Sequence, residues 1–276
     1  MNISPAHVIF SDLWQLGAEA GWRRGQGPDG GADEREPLRR VDPALHRTGL
    51  KSQQGRSQLV DVFVTGGTGY LGRAMIGALL QRGHAVRALT RTASRDKVPA
   101  GATPVAGDAL DATTFAAALS ATTTLVHLVG TPHPGPSKAA LFESVDLASI
   151  RSSVEAARRA PIAHLVYVSV AQPAPTMRAY VDARTRGEAA IVEARLTATM
   201  LRPWYVLGPG HWWPIALKPF YWLAERLPAT RETARRMGLV TLAQMVAALV
   251  DAVEHPPAAG GVRIVDVPGI RAARAF

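Results

Sequence analysis

The sequence has no cysteine among its 276 residues. Disulfides, thiolate metal sites and a cysteine nucleophile are therefore excluded. The absence fits a reducing compartment, and a cytoplasmic location is expected. The eight histidines are scattered, with no pair at helical metal-ligand spacing, so no metal site is expected. Long hydrophobic runs are missing too. The longest uncharged run, 112–137, is broken by threonines and by Pro132, Pro134 and Pro136, and no transmembrane segment is expected. The N-terminus lacks the basic-then-apolar layout of a secretion signal. Acidic residues are in deficit, 22 against 31 lysines and arginines, for a net charge of +9. The arginines are dispersed, in runs no longer than pairs such as Arg158-Arg159 and Arg235-Arg236. That pattern argues against a nucleic-acid partner and for solvated faces that favour an anionic ligand.

Against these absences stands one concentrated signal. Val62-Phe63-Val64 is the short apolar run of a central parallel strand, and Gly66, Gly69 and Gly72 follow at G-x-x-G-x-x-G spacing. Leu71, Ala74, Met75, Ala78 and Leu79 then mark one apolar helix face, and Ala85-Val86-Arg87-Ala88-Leu89 reads as a second strand. The whole is a βαβ unit of about 30 residues, the context in which spaced glycines let backbone N–H groups and a helix N-terminus meet a pyrophosphate.

Strand and helix continue to alternate. Strands are predicted over 60–65, 85–90, 103–106, 123–129, 163–169, 198–203 and 262–267. Helices are predicted over 70–82, 111–120, 138–160, 182–195, 213–227 and 241–254. The alternation predicts an α/β fold, a doubly wound parallel sheet of Rossmann type, with a core over 60–203 and a small substrate or lid region over 204–276. Residues 1–59 lack periodic apolar positions, notably over 21–40, and are expected to be disordered or loosely attached. A functional unit starting near Val60 and a regulatory or docking tail are the two readings of that segment. After Pro203 aromatics gather: Trp204, Tyr205, Trp212, Trp213, Phe220, Tyr221 and Trp222. They would line an apolar substrate cavity, form a packed core, or offer a peripheral membrane or partner surface.

The cofactor reading follows from charge. The acid that would hold an NAD ribose is missing, since no Asp or Glu lies between Gly72 and Arg95. Arg91 stands 19 positions beyond Gly72 instead, suited to a 2′-phosphate. NADP(H) is therefore preferred, with NAD(H) the alternative. Asp108, with Ala109 after it, is assigned to the adenine amino group, and Asp111 to a helix cap. Leu128-Val129-Gly130 is expected to approach the cofactor ribose.

Val64-Thr65-Gly66-Gly67-Thr68-Gly69-Tyr70-Leu71-Gly72, Arg91, Gly107-Asp108, Tyr167-Val168-Ser169-Val170 and Leu201-Arg202-Pro203 together resemble an atypical short-chain dehydrogenase/reductase. The NmrA-like and complex I 39-kDa-subunit-like NAD(P)-binding proteins are the nearest in pattern, over about residues 60–276. The resemblance implies cofactor contacts from Gly66, Thr68, Gly69, Tyr70, Leu71, Gly72, Arg91, Asp108, Ala109, Leu128, Val129, Gly130 and Pro203. It also implies a catalytic set of Ser169, Tyr180 and Arg184. The family's Y-x-x-x-K is Y-x-x-x-R here, and Tyr180 follows Ser169 by only 11 residues. Arginine keeps the charge in a larger, planar fork. Glu188, four residues after Arg184, offers an intrahelical ion pair instead of a catalytic role. The implied function is an NADPH-preferring oxidoreductase acting on a small carbonyl, quinone or sugar-nucleotide-like substrate. The alternative is a non-enzymatic NADP(H)-binding redox sensor or assembly subunit. A sugar-nucleotide epimerase is a weaker third reading, because it wants the intact Tyr/Lys pair.

Overall fold

A computed structural model describes residues 59–174, 176–208 and 231–273. The residues before 59 and the predicted helix over 213–227 lie outside the described residues, as do all the aromatics beyond Tyr205.

Seven parallel strands form one sheet: β1 (Asp61–Thr65), β2 (Ala85–Thr90), β3 (Thr103–Ala106), β4 (Thr123–His127), β5 (His164–Val168), β6 (Ala198–Leu201) and, late in the chain, Val262–Val265. The spatial order is β3-β2-β1-β4-β5-β6 with Val262–Val265 at the far edge. The order reverses between β1 and β4, whose register pairs Val64 with Val126 and Thr65 with His127. Ligands of such sheets bind beyond the strands' carboxyl ends at this reversal.

Period-2 alternation assigns each strand residue to a face. Val62, Val64, Val86, Ala88, Val126 and Val166 share one core cluster, while Phe63, Leu89, Leu125, Leu165 and Tyr167 share the other. The first face is covered by α1 (Tyr70–Gln81) through Met75, Ile76 and Leu79. The second is covered by α2 (Ala148–Arg159) and α3 (Arg178–Glu193), through Ile150, Val154, Ala183 and Ile191.

The C-terminal region packs on the core. A short helix α4 (Arg231–Arg236) leads to a two-stranded parallel sheet of β7 (Tyr205–Leu207) and β8 (Leu239–Thr241). Helix α5 (Leu242–Glu254) packs Met245, Leu249, Val250 and Val253 into the same cluster as α1. Arg82, at the end of α1, pairs with Glu254 at the end of α5 at 2.5 Å. The edge strand Val262–Val265 is thus β9, followed by α6 (Val267–Ala272).

Two predicted helices differ in form. Residues 111–120 make two 3-10 turns, Ala112–Thr114 and Ala116–Ala118. Thr114 Oγ1 donates to the Asp111 carbonyl at 2.7 Å, and the Asp111 carboxylate accepts from Thr113 N. These local bonds compete with α-helix formation. The segment before α2 starts as one α-turn, Ala139–Leu141, and widens into a π-helix over Phe142–Leu147.

Candidate functional site

Gly66 leaves β1 with φ +78, and its missing side chain is a steric requirement. A Cβ there would meet Leu128 C at 2.8 Å and Val129 N at 2.9 Å. The loop after β1 therefore lies directly on the backbone following β4, at the reversal of strand order. Gly72 is closed in the same way: a Cβ would strike the Gly66 carbonyl oxygen and lie 2.7 Å from Gly67 Cα. This lets α1 start hard against the loop. Gly69 is its N-cap, no side chain caps it, and no acid stands in its first turn. The helix N-terminus is left to an anion, the arrangement a dinucleotide pyrophosphate requires. The glycines thus make a cradle that fits such a group.

Thr68 and Leu71 sit on this loop and first turn. Tyr70, also in the first turn, turns its hydroxyl against Gly208 at the end of β7. Arg91 follows β2 directly, is exposed, and its guanidinium makes no ion pair with any described residue. Asp108 is exposed beyond β3, where its Oδ1 accepts from Leu110 N at 3.0 Å. Ala109 packs beside it on the second core cluster. Leu128, Val129 and Gly130 are not the end of β4, which stops at His127, but the loop beyond it. Pro203 follows β6, and its carbonyl accepts from Ala171 N at 2.9 Å.

The second half of the site centres on Arg184. Its partner is not Glu188. Glu188 is taken by Arg202, whose Nε and Nη2 reach the carboxylate at 2.9 and 2.5 Å. Arg184 instead sends Nη2 to Asp146 Oδ1 at 2.6 Å and Nη1 to the Val168 carbonyl at 3.0 Å. Asp146 is fully buried in the π-helix, and its Oδ2 accepts from Thr131 N at 3.0 Å and Thr131 Oγ1 at 2.5 Å. The guanidinium lies over the Tyr180 ring at 5.3 Å and the Tyr167 ring at 5.8 Å. It also fills the space a side chain at Gly130 would need. Tyr180 packs on Phe142, ring centroids 5.0 Å apart. The structure therefore brings Gly130, Tyr180 and Arg184 together. Ser169, 2% exposed, follows β5 directly, and its Oγ has no hydrogen-bond partner among the described residues.

Sequence reasoning missed Thr131, Asp146 and His127. Asp146 falls four residues after Phe142 and four before Ile150, on the buried stripe. An acid on such a stripe signals a buried cation elsewhere. His127, wholly buried, hydrogen-bonds through Nδ1 with Thr65 Oγ1 at 3.0 Å and Ser153 Oγ at 2.9 Å. It ties the ends of β1 and β4 beneath the cradle. Burial first, then the Arg184 charge, holds its pKa down to about 3. Burial pushes the Tyr167 hydroxyl up to about 12, so it keeps its proton at neutral pH. Among the described residues no group of three His, Asp or Glu side chains suits a metal ion. No helix among them is long and apolar enough to cross a membrane.

Comparison with known proteins agrees with this geometry. A family model described as NAD(P)H-binding matches residues 66–209, just over half the chain. The chain is 28% identical over 211 residues to a ceramide reductase of Caulobacter vibrioides (strain NA1000 / CB15N), covering 75% of this chain and 64% of that one. It is 35% identical over 178 residues to a 3-diazoavenalumate denitrifying reductase of Streptomyces sp, covering 54% and 57%. It thus spans less than two thirds of these relatives' length. A short-chain dehydrogenase/reductase superfamily protein from Agrobacterium tumefaciens, solved with bound NAD, shares the fold. There the TM-score is 0.53 at 19% identity, over 76% of this chain and 80% of that one. With its glycine cradle at the sheet's reversal point, the chain belongs to the NAD(P)H-binding family.

Proposed function

We propose that the protein is an NADPH-preferring oxidoreductase acting on a small carbonyl, quinone or sugar-nucleotide-like substrate. The observation that carries the reading is Ser169. A buried hydroxyl without a partner costs about 1–3 kcal/mol. A substrate oxygen placed at the end of β5 would recover that cost, on the same carboxyl edge of the sheet as the cradle. The names of two relatives as reductases support the same reaction class.

In this reading the loop 66–72 and the start of α1 hold the pyrophosphate. Asp108 accepts from the adenine amino group, Arg91 pairs with the 2′-phosphate, and the backbone of 128–130 meets the ribose. Pro203 lies near the nicotinamide. The bound cofactor supplies the hydride. Ser169 donates a hydrogen bond to the substrate oxygen, and the Tyr180 hydroxyl supplies the proton. Arg184, fixed by Asp146, orients Tyr180 through its ring instead of tuning its hydroxyl as a free lysine would.

The test is NADPH oxidation across a panel of carbonyls and quinones. Turnover of at least one substrate is expected, and Ser169→Ala should lower kcat about 100-fold, the usual loss for one oxygen-stabilising donor, with NADPH affinity unchanged. Tight NADPH binding with no turnover would favour a redox sensor or assembly subunit. The capture of the Arg184 charge by Asp146 is the observation on that side.

A further inference from the structure

The carboxyl edge of the sheet borders a cavity of about 440 Å³. Its walls come from the carboxyl ends of three strands: Ala171 and Gln172 after β5, Arg202 after β6, and Asp266 after β9. Helix α4 closes it with Arg231, Arg235 and Arg236.

The polar balance of this cavity is one-sided. Arg236 Nε and Gln172 Nε2 are buried with no partner among the described residues, and both are donors. The cavity's own carboxylates do not answer them. Asp266 is used as the cap of α6, accepting from Gly269 N at 3.0 Å. Glu232 is 93% exposed at the side chain and stands 3.7 Å from Arg236 Nη1, too far for a tight pair. Arg235 makes no ion pair with any described residue. Arg202 does not contribute free charge, because Glu188 neutralises it.

We infer that this cavity is a substrate subsite for an anionic oxygen group, a carboxylate or phosphate, held by Arg235, Arg236 and Gln172. The inference rests on the oxidoreductase reading for where the reacting carbonyl lies, and it narrows the substrate to acidic carbonyl compounds. Charge-assisted, forked hydrogen bonds from arginine suit such a group. A cavity lined mainly by one sign of charge also concentrates anionic substrates at its mouth.

The experiment uses three probe ketones with the full-length protein in the presence of saturating NADP+: 4-acetylbenzoate, 4-acetylphenyl phosphate and the neutral methyl 4-acetylbenzoate. Calorimetry should show at least one acid binding about tenfold more tightly than the ester, the size of one charge-assisted contact. Arg235→Ala/Arg236→Ala should abolish that preference, and Arg235→Lys/Arg236→Lys should keep part of it, all with the same NADP+ affinity. If the alanine pair does not fold, Arg235→Gln serves the same comparison. Acids bound no more tightly than the ester, or a preference that survives in the alanine pair, overturn the inference. Turnover separates it from the broader reading. Acid preference without NADPH oxidation leaves the subsite standing and removes the oxidoreductase. Reduction of the ester with no acid preference does the reverse.

Discussion

Arg184 and Asp146 form a buried pair that fixes where the arginine's charge is spent. A lysine presents a mobile point charge, whereas the arginine fork here is divided between Asp146 and the Val168 carbonyl. Both side chains are nearly or fully buried, at 7% and 0% exposure, so neither charge has water to fall back on. Asp146→Ala would leave the guanidinium buried and unpaired. A loss of about 3–5 kcal/mol in urea denaturation is expected, and a loss under about 1 kcal/mol would contradict the pairing. The partner was not legible in the sequence. Glu188 stood at the helical spacing that favours a pair, but Arg202 claimed it, and the acid that serves Arg184 lies 38 residues away. Only the odd placement of an acid on an apolar stripe hinted at it.

Among the elements, those with a clean period were legible and those shaped by side chains were not. β1, the glycine loop and α1 switch from period 2 to period 3.6 within a few residues, and the structure places them within one residue of the sequence reading. The π-helix over Phe142–Leu147 was hidden, because its extra residue per turn accompanies a tertiary contact of Asp146 and leaves no composition signal. The turns over 112–118 were hidden for another reason, since threonine hydroxyls took backbone partners that an α-helix would have used. β7 and β8, three residues each, are too short to show alternation. α5 carries a reciprocal cap. Thr241 Oγ1 accepts from Gln244 N at 3.2 Å, and Gln244 Oε1 accepts from Thr241 N at 2.9 Å. Because α5 covers the same core face as α1, its fraying reaches the cradle's support. Thr241→Ala is expected to lower stability by about 1 kcal/mol in thermal unfolding, with Thr241→Ser close to neutral.

For the molecule as a whole, the sheet's strand order decides where chemistry can occur, and the buried polar groups decide the pH range in which that order survives. His127 at about 3 and His164 at about 4 are both depressed chiefly by burial. Unfolded histidine titrates near pH 6.5. The unfolded chain therefore takes up two protons that the folded chain refuses. Stability from these groups is complete above about pH 6.5, falls as the pH drops, and is lost once the pH passes below about 3. Each unit of separation is worth about 1.4 kcal/mol per group. The urea midpoint should thus fall steadily between pH 6.5 and 4.5, and a flat profile there would contradict neutral, buried histidines.

The fold and its family were readable because a parallel sheet and a glycine cradle leave strong local marks. The choice between the two dinucleotides rests on one exposed arginine after β2 and on the missing acid around it. A titration of the purified protein with NADPH and NADH, followed by tryptophan quenching in wild type and Arg91→Ala, tests that claim most directly. The account predicts NADPH binding at least about tenfold tighter than NADH, with the gap closing in Arg91→Ala as NADPH affinity drops and NADH affinity holds. Equal affinities, or a gap that survives the substitution, would contradict the role of Arg91. Binding of neither nucleotide would contradict the cradle itself.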